Sequence, residues 1–212
     1  MSTAVRRTQT ERTAETREAL LEAANACLVD VGYAGTTTRL VAERAGVSRG
    51  AQTHHFPTKT DLVAAAIEYL FDQQATHFRQ VFGAHPTDKR TLDQAVEILW
   101  DIVRGPSYAA ILEVTVAART DPELRVVVHA MSAVLENTVI GLHREFFPGV
   151  HDERLVRTLI DVGFTLVQGA AISTYGGYGD PEHIIRVMKN AAALITPQST
   201  DVVKGILDAL DA

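Results

Sequence analysis

The stretch TTTRLVAERAGVSRGAQTHHF, residues 36–56, decides how the chain is read. Its first part reads as a short amphipathic helix, with Leu40, Val41 and Ala45 recurring at helical spacing. Gly46 ends that helix, because glycine enters left-handed backbone geometry without a Cβ penalty. Ser48 then offers a hydroxyl to cap a second helix over 49–55. That helix carries few large apolar residues. Its arginine, glutamine, threonine and two histidines form a row of hydrogen-bonding groups, and Phe56-Pro57 close it. A helix that needs a large buried face is not composed this way, whereas a helix presented to another molecule is.

The chain has 212 residues, room for one large helical domain or two small ones. No uninterrupted run of about 18 apolar residues occurs, so no membrane partner is expected. The N-terminal MSTAVRRTQTERTAETRE lacks the apolar core of a secretory signal. The single cysteine, Cys27, excludes an internal disulfide, and both features suit a cytoplasmic protein. Cys27 lies on the apolar stripe Leu20, Ala24, Cys27, Leu28, Val31, which suits a buried core thiol. A net charge of −6 argues against a protein that coats nucleic acid without specificity. The charge is uneven: residues 1–60 sum to +2 and the remainder to −8. The quoted stretch therefore lies in the basic quarter.

Elsewhere the pattern predicts only helices. They fall at 11–31, ending at Gly32, and at 59–81, opened by the capping-box pattern Thr58-Lys59-Thr60-Asp61. After a break from Gly83 to Pro86 come 87–103 and, past Gly105-Pro106, 107–119. Asp121-Pro122 opens 122–147, Asp152 opens 152–174, and Asp180-Pro181 opens 181–195, with a last helix over 201–210. No segment sustains a two-residue alternation, so an all-α fold of nine to ten helices is expected. The expected organisation is a flexible basic tail 1–14, a helix-turn-helix domain 15–58, a linking helix 59–82 and a helical bundle 83–212.

In a helix-turn-helix the first helix crosses the DNA backbone and the second enters the major groove. Arg49 suits guanine or phosphate, and Gln52 suits adenine if it points outward. Thr53, His54 and His55 can reach phosphates or base edges. Gly50 and Ala51 let the helix approach the groove closely. Thr37 and Thr38, and likewise Ser48, stand at helix starts, where hydroxyls and free N–H groups meet phosphate. Lys59 is placed to clamp the flanking strand. His54 and His55 point about 100° apart on a helix, so no metal site is expected there. The tail arginines Arg6, Arg7 and Arg12 fit either a minor-groove arm or a solvated segment.

Residues 17–70 resemble the DNA-binding domain of the tetracycline-repressor (TetR) family. The resemblance runs from the first helix through Gly32-Tyr33, Thr36-Thr37-Thr38, Ala42, Ala45-Gly46-Val47-Ser48, Gly50, His55-Phe56 and Lys59 to Leu62. It covers about a quarter of the chain. It implies an all-α homodimer whose helix-turn-helix binds a palindromic, double-stranded operator. The C-terminal domain would dimerise through 152–174 and 181–195 and hold a small-molecule inducer, which moves the helix 59–82 and spreads the two heads off the DNA. Carried over, the phosphate contacts fall on Thr38, Thr53, His55 and Lys59, and base reading on Arg39, Arg49, Gly50 and His54. Two positions depart from the family's pattern. Gln52 stands where an aliphatic residue is frequent, so it is also readable as a structural residue. Thr53 stands where tyrosine is frequent, which shortens its reach.

In the second half, Phe78, Phe82, Trp100, Tyr108 and Tyr175, with Phe146 and Phe164, are candidates to line a ligand cavity, and ordinary core is the alternative. Glu113, His129 and Gln168 are polar groups inside apolar runs; if buried they need partners, and a ligand is one. The chain has no phosphate loop, no Gly-x-Ser-x-Gly, no zinc-type spacing and no paired carboxylates. No catalytic residue, metal or cofactor is therefore expected, and an enzyme with an incidental helix-turn-helix is the remotest reading. A ligand-responsive repressor is the leading one, and a DNA-binding regulator without a small ligand is the other.

Overall fold

The computed structural model describes residues 8–147, 152–194 and 205. Nine α-helices and one 3-10 turn, Thr87–Lys89, occur among them, and no strand. The helices are α1 Gln9–Gly35, α2 Thr38–Ala45, α3 Arg49–His55, α4 Lys59–Gly83, α5 Leu92–Val103, α6 Pro106–Ala117, α7 Pro122–Phe146, α8 Glu153–Gly176 and α9 Pro181–Ala193.

Local capping chemistry sets most boundaries. Thr8 and Glu11 form a reciprocal capping box, with the Thr8 N–H donating to Glu11 Oε2 at 2.7 Å. Helix α1 therefore begins well inside the expected flexible tail, and Arg12 lies on a helix. Arg6 and Arg7 lie outside the described residues, as do the expected break at Pro148-Gly149, the end of the 181–195 helix with Pro197, and all of the 201–210 helix except Gly205. Gly32 interrupts α1 at φ +66°, the stop that was expected there. The helix expected over 87–103 is split. A 3-10 turn comes first, and α5 starts only after Thr91, whose N–H donates to Gln94 Oε1 at 3.3 Å. Asp121, Asp152 and Asp180 each accept an N–H in the first turn of α7, α8 and α9.

Two compact units result. The first comprises the residues up to Asp72 together with Ala109–Ser132; the second comprises Gln73–Tyr108 and the chain from Ala133 onward. The first unit thus takes in most of α6 and the start of α7. Its core packs Leu20, Leu21, Ala24 and Cys27 of α1 against Val41, Phe56, Leu62 and Ala66. Cys27 is fully buried, and burial pushes its thiol pKa up. In the second unit α9 packs on α5 and α8. Ion pairs Lys189–Glu97 and Arg157–Glu136 lie on its surface. Phe82 is fully buried and meets Phe146 edge-on at 5.1 Å, with Phe78 stacked on it at 5.3 Å.

Helices α7 and α8 amend one expectation. Over an 18-residue window their mean hydropathies are 1.3 and 1.4, so by length and composition each is long and apolar enough to cross a membrane. Counting uninterrupted apolar runs missed this, because single polar residues such as His129 and Asp161 interrupt them. Only 6% of the α7 window and 28% of the α8 window are buried within the chain.

Candidate nucleic-acid interface

Three caps build the α2–α3 pair. The Thr37 hydroxyl accepts the Leu40 N–H at 3.1 Å and starts α2. Gly46 ends α2 at φ +67°. A Cβ there would meet nothing within 4 Å, so the left-handed turn itself, and not crowding, calls for glycine. The Ser48 hydroxyl accepts the Ala51 N–H at 3.2 Å and starts α3.

Helix α3 then divides into two faces. Inward, Gln52 is only 2% exposed, and its amide donates to the Phe56 carbonyl at 2.7 Å. That bond satisfies a carbonyl just past the last turn of α3, which is otherwise an orphan. Gln52 is therefore a scaffold residue, and its assignment as an adenine reader is corrected: its amide is spent inside the unit, and the side chain does not reach solvent. Outward, Arg49, Gly50, Thr53 and His54 are exposed, as are Ser48, Thr37 and Arg39; Thr38 and His55 are half-buried. A Cβ at Gly50 would meet only the Ser48 hydroxyl, at 3.9 Å. The chain's own packing does not require glycine at that position, whereas a backbone that must approach another surface does.

The basic side chains are not equally free. Arg39 pairs with Glu43 at 3.0 Å on the exposed side of α2. Arg44 pairs with Asp30 at 2.5 Å. Lys59 donates to the Tyr33 carbonyl at 2.5 Å, and its ammonium lies 3.9 Å from the centre of the Tyr33 ring. Burial lowers the Lys59 pKa, while the charge of Asp121 raises it. Among these four cations, Arg49 is the one without a hydrogen-bond or ion-pair partner among the described residues. Burial also lowers the His55 pKa, with smaller contributions from His54 and Arg17. The neutral imidazole is thus favoured at neutral pH.

Six of the eight candidate ligand residues lie in the second unit, and Glu113 and His129 lie in the first. Phe78 and Phe82 belong to the aromatic core at the end of α4. Trp100 is buried, and its indole N–H donates to Glu182 at 3.3 Å. Tyr108 is buried in the same unit, and its pKa is pushed up to about 12 by burial and by Tyr175, opposed by a hydrogen bond with Gln168. The Tyr175 hydroxyl is shared between the carbonyls of Val103 at 2.8 Å and Gly105 at 2.6 Å. Glu113 and His129 are corrected: both are exposed and both belong to the first unit. Their place in apolar runs suggested burial, but α6 and α7 turn those faces to solvent. The Glu113 carboxylate lies over Gly32 and accepts the Tyr33 N–H at 3.4 Å. Among the described residues no three His, Cys, Asp or Glu side chains gather as metal ligands.

Residues 20–66 match the model of the family described as bacterial regulatory proteins, tetR family. The match covers about a fifth of the chain. The curated relatives include the HTH-type transcriptional regulator CymR of Pseudomonas putida, 42% identical over 57% of this chain and 59% of its own length. They also include the HTH-type transcriptional repressor AcnR of Corynebacterium diphtheriae, 29% identical over 81% of this chain and 87% of its own length. Among solved structures, the multidrug binding protein EbrR complexed with ethidium aligns with a TM-score of 0.57 and 26% identity, over 83% of this chain and 97% of that one. The chain spans about six tenths of the length of the first curated relatives it matches. Sequence reading missed one residue of the matched segment. Tyr33 was quoted only within the resemblance, yet Lys59, Glu113 and Asp121 all meet it. The one local signal was the aromatic residue directly after the helix-stopping Gly32.

Proposed function

We propose that the protein is a sequence-specific DNA-binding transcriptional regulator, a repressor that holds a palindromic operator as a homodimer. The observation that carries this reading is the division of α3. Gln52 and the following Phe56 anchor the helix, while Arg49, Gly50, Thr53 and His54 stand outward and Arg49 keeps an unspent guanidinium. An arginine on an exposed recognition helix can meet guanine O6 and N7 in a bidentate pair. Two such heads must sit about one helical turn apart, roughly 34–36 Å. The exposed apolar side chains Val162 and Leu166 of α8 and Val187 of α9 support a second copy of the chain as the dimer partner.

Release by a small-molecule inducer bound in the second unit is the finer part of the proposal. The Tyr108–Gln168–Tyr175 group offers polar atoms within apolar helices, and the relative EbrR is a multidrug binding protein seen with ethidium. One observation favours a regulator without a ligand: Trp100 and Tyr175 already have partners within the chain. The two readings separate in a DNA-release assay with ethidium and other apolar cations, run on DNA that the protein itself selects from a randomised pool. Release at micromolar compound supports the inducer; no release across such a panel supports the alternative. Failure to select any sequence would overturn DNA-specific regulation itself.

A further inference from the structure

We propose that Lys59 is a positioning residue for the DNA-binding head and makes no phosphate contact of its own. The proposal rests on the DNA-binding function proposed above. Tyr33 is held from several sides. Its carbonyl accepts from Lys59 Nζ at 2.5 Å, its ring lies under the same ammonium at 3.9 Å, and its N–H donates to Glu113 Oε2 at 3.4 Å. Its hydroxyl lies 3.5 Å from Asp121 Oδ2. Asp121 also caps α7 through its other oxygen, which accepts the Leu124 N–H at 3.0 Å. The first turn of α4, α6 and the α6–α7 corner thus grip one residue at the end of α1, past the Gly32 kink, where the chain connects to α2.

That connection aims α2. Gly32 turns the chain at φ +66°, a turn that calls for glycine, and a Cβ on it would sit 2.7 Å from Glu113 Oε2, so the carboxylate would have to shift. Thr36, fully buried, donates its hydroxyl to the Gly32 carbonyl at 2.7 Å. The next residue, Thr37, caps α2. A shift of Tyr33 would therefore be passed directly to the helix that precedes α3. Lys59 is the strongest member of the grip. It is half-buried, where a cation without a partner is costly, and it satisfies that need with a backbone carbonyl and an aromatic face. One of its three N–H donors is spent on the Tyr33 carbonyl and its charge rests on the ring face, so its first partner is Tyr33 and not a DNA strand.

The test is a salt series of DNA affinity for wild type, Lys59→Met and Lys59→Arg, on the sequence the protein selects from a randomised pool and on a scrambled copy. Methionine keeps the apolar stem over the Tyr33 ring but removes the charge and the donor. The expected result is that Lys59→Met lowers affinity for the selected site about tenfold, leaves the scrambled-site affinity unchanged and leaves the salt slope unchanged. Lys59→Arg, which can still donate and stack, restores most of the loss. In DNA-free protein, amide exchange at Tyr33 and Thr36 is faster in Lys59→Met than in wild type.

An equal loss on both DNAs, with the salt slope reduced by about one, would make Lys59 a phosphate contact and overturn the proposal. Wild-type affinity in Lys59→Met, or unchanged amide exchange, would overturn it as well. If wild type selects no DNA at all, the function proposed above falls, and the clamp is then judged on the amide exchange.

Discussion

In the first unit α3 turns Arg49, Thr53 and His54 to solvent and buries Gln52. In the second unit Trp100 and Tyr108 are buried, while Val162, Leu166, Ile172 and Val187 are exposed. The first surface, with Arg49 unspent and Gly50 leaving its backbone open, is suited to a charged polar partner. The second is suited to an apolar one, such as another copy of itself. On the function proposed above, a chain with a net charge of −6 would centre its DNA-facing chemistry on the seven-residue α3 and its assembly chemistry on α8 and α9.

The largest effect is expected where the second surface is broken. Leu166→Arg puts a charge on the exposed apolar stripe of α8, and sedimentation should then read a monomer. Affinity for a palindromic site should fall by about a hundredfold or more, because two linked heads bind far more tightly than one. A Leu166→Arg protein that stays dimeric would remove α8 from the interface.

Next comes Arg49→Ala, which should lower affinity for the selected site about 10- to 100-fold, the scale of one lost bidentate base contact. The dimer and the melting temperature should not change, which separates this surface from the other. Unchanged affinity would mean that Arg49 reads nothing.

Gln52→Ala acts on the hidden face of the same helix. It leaves the Phe56 carbonyl unpaired and a void beside it, which should cost about 1–3 kcal/mol of stability in chemical denaturation. Its effect on DNA binding should follow the loss of folded protein and not a change in the preferred sequence. A changed base preference in folded protein would put Gln52 back among the readers.

The smallest effect is one of pH. Burial lowers the pKa of His55 in the first unit and of His143 in the second. For a base with a lowered folded pKa, the unfolded chain binds more protons as pH drops below about 6.5. Stability should therefore fall across that window and be constant above it. His143→Asn should flatten the fall more than His55→Asn, because His143 is the more deeply buried. Melting temperatures between about pH 5 and pH 7.5 check this, and a fall that neither substitution reduces would contradict it.

The boundaries of α2 and α3 were legible because the groups that set them are local: Thr37, Gly46 and Ser48 each act within three residues of themselves. The capping box at Thr8 and Glu11 is equally local and has a readable pattern, so α1 was extendable from sequence. The sequence left Gln52 open between an outward adenine reader and a structural residue, and its burial decides for the second, since an amide at an inward position must find a backbone partner. The partner of Lys59 was not legible, because Tyr33 lies 26 residues away and is reached only after α1 and α4 pack. Glu113 and His129 misled for a different reason. An apolar run predicts burial only if its helix is covered on that side, and neither residue is covered within this chain.

Selection of DNA from a randomised pool by wild-type protein, followed by anisotropy on the enriched site and on a scrambled copy, tests the central claim most directly. The account expects a palindrome with half-site centres one helical turn apart and a preference of about a hundredfold or more. A pool with no enriched sequence, or equal affinity for both DNAs at every salt concentration, would contradict it.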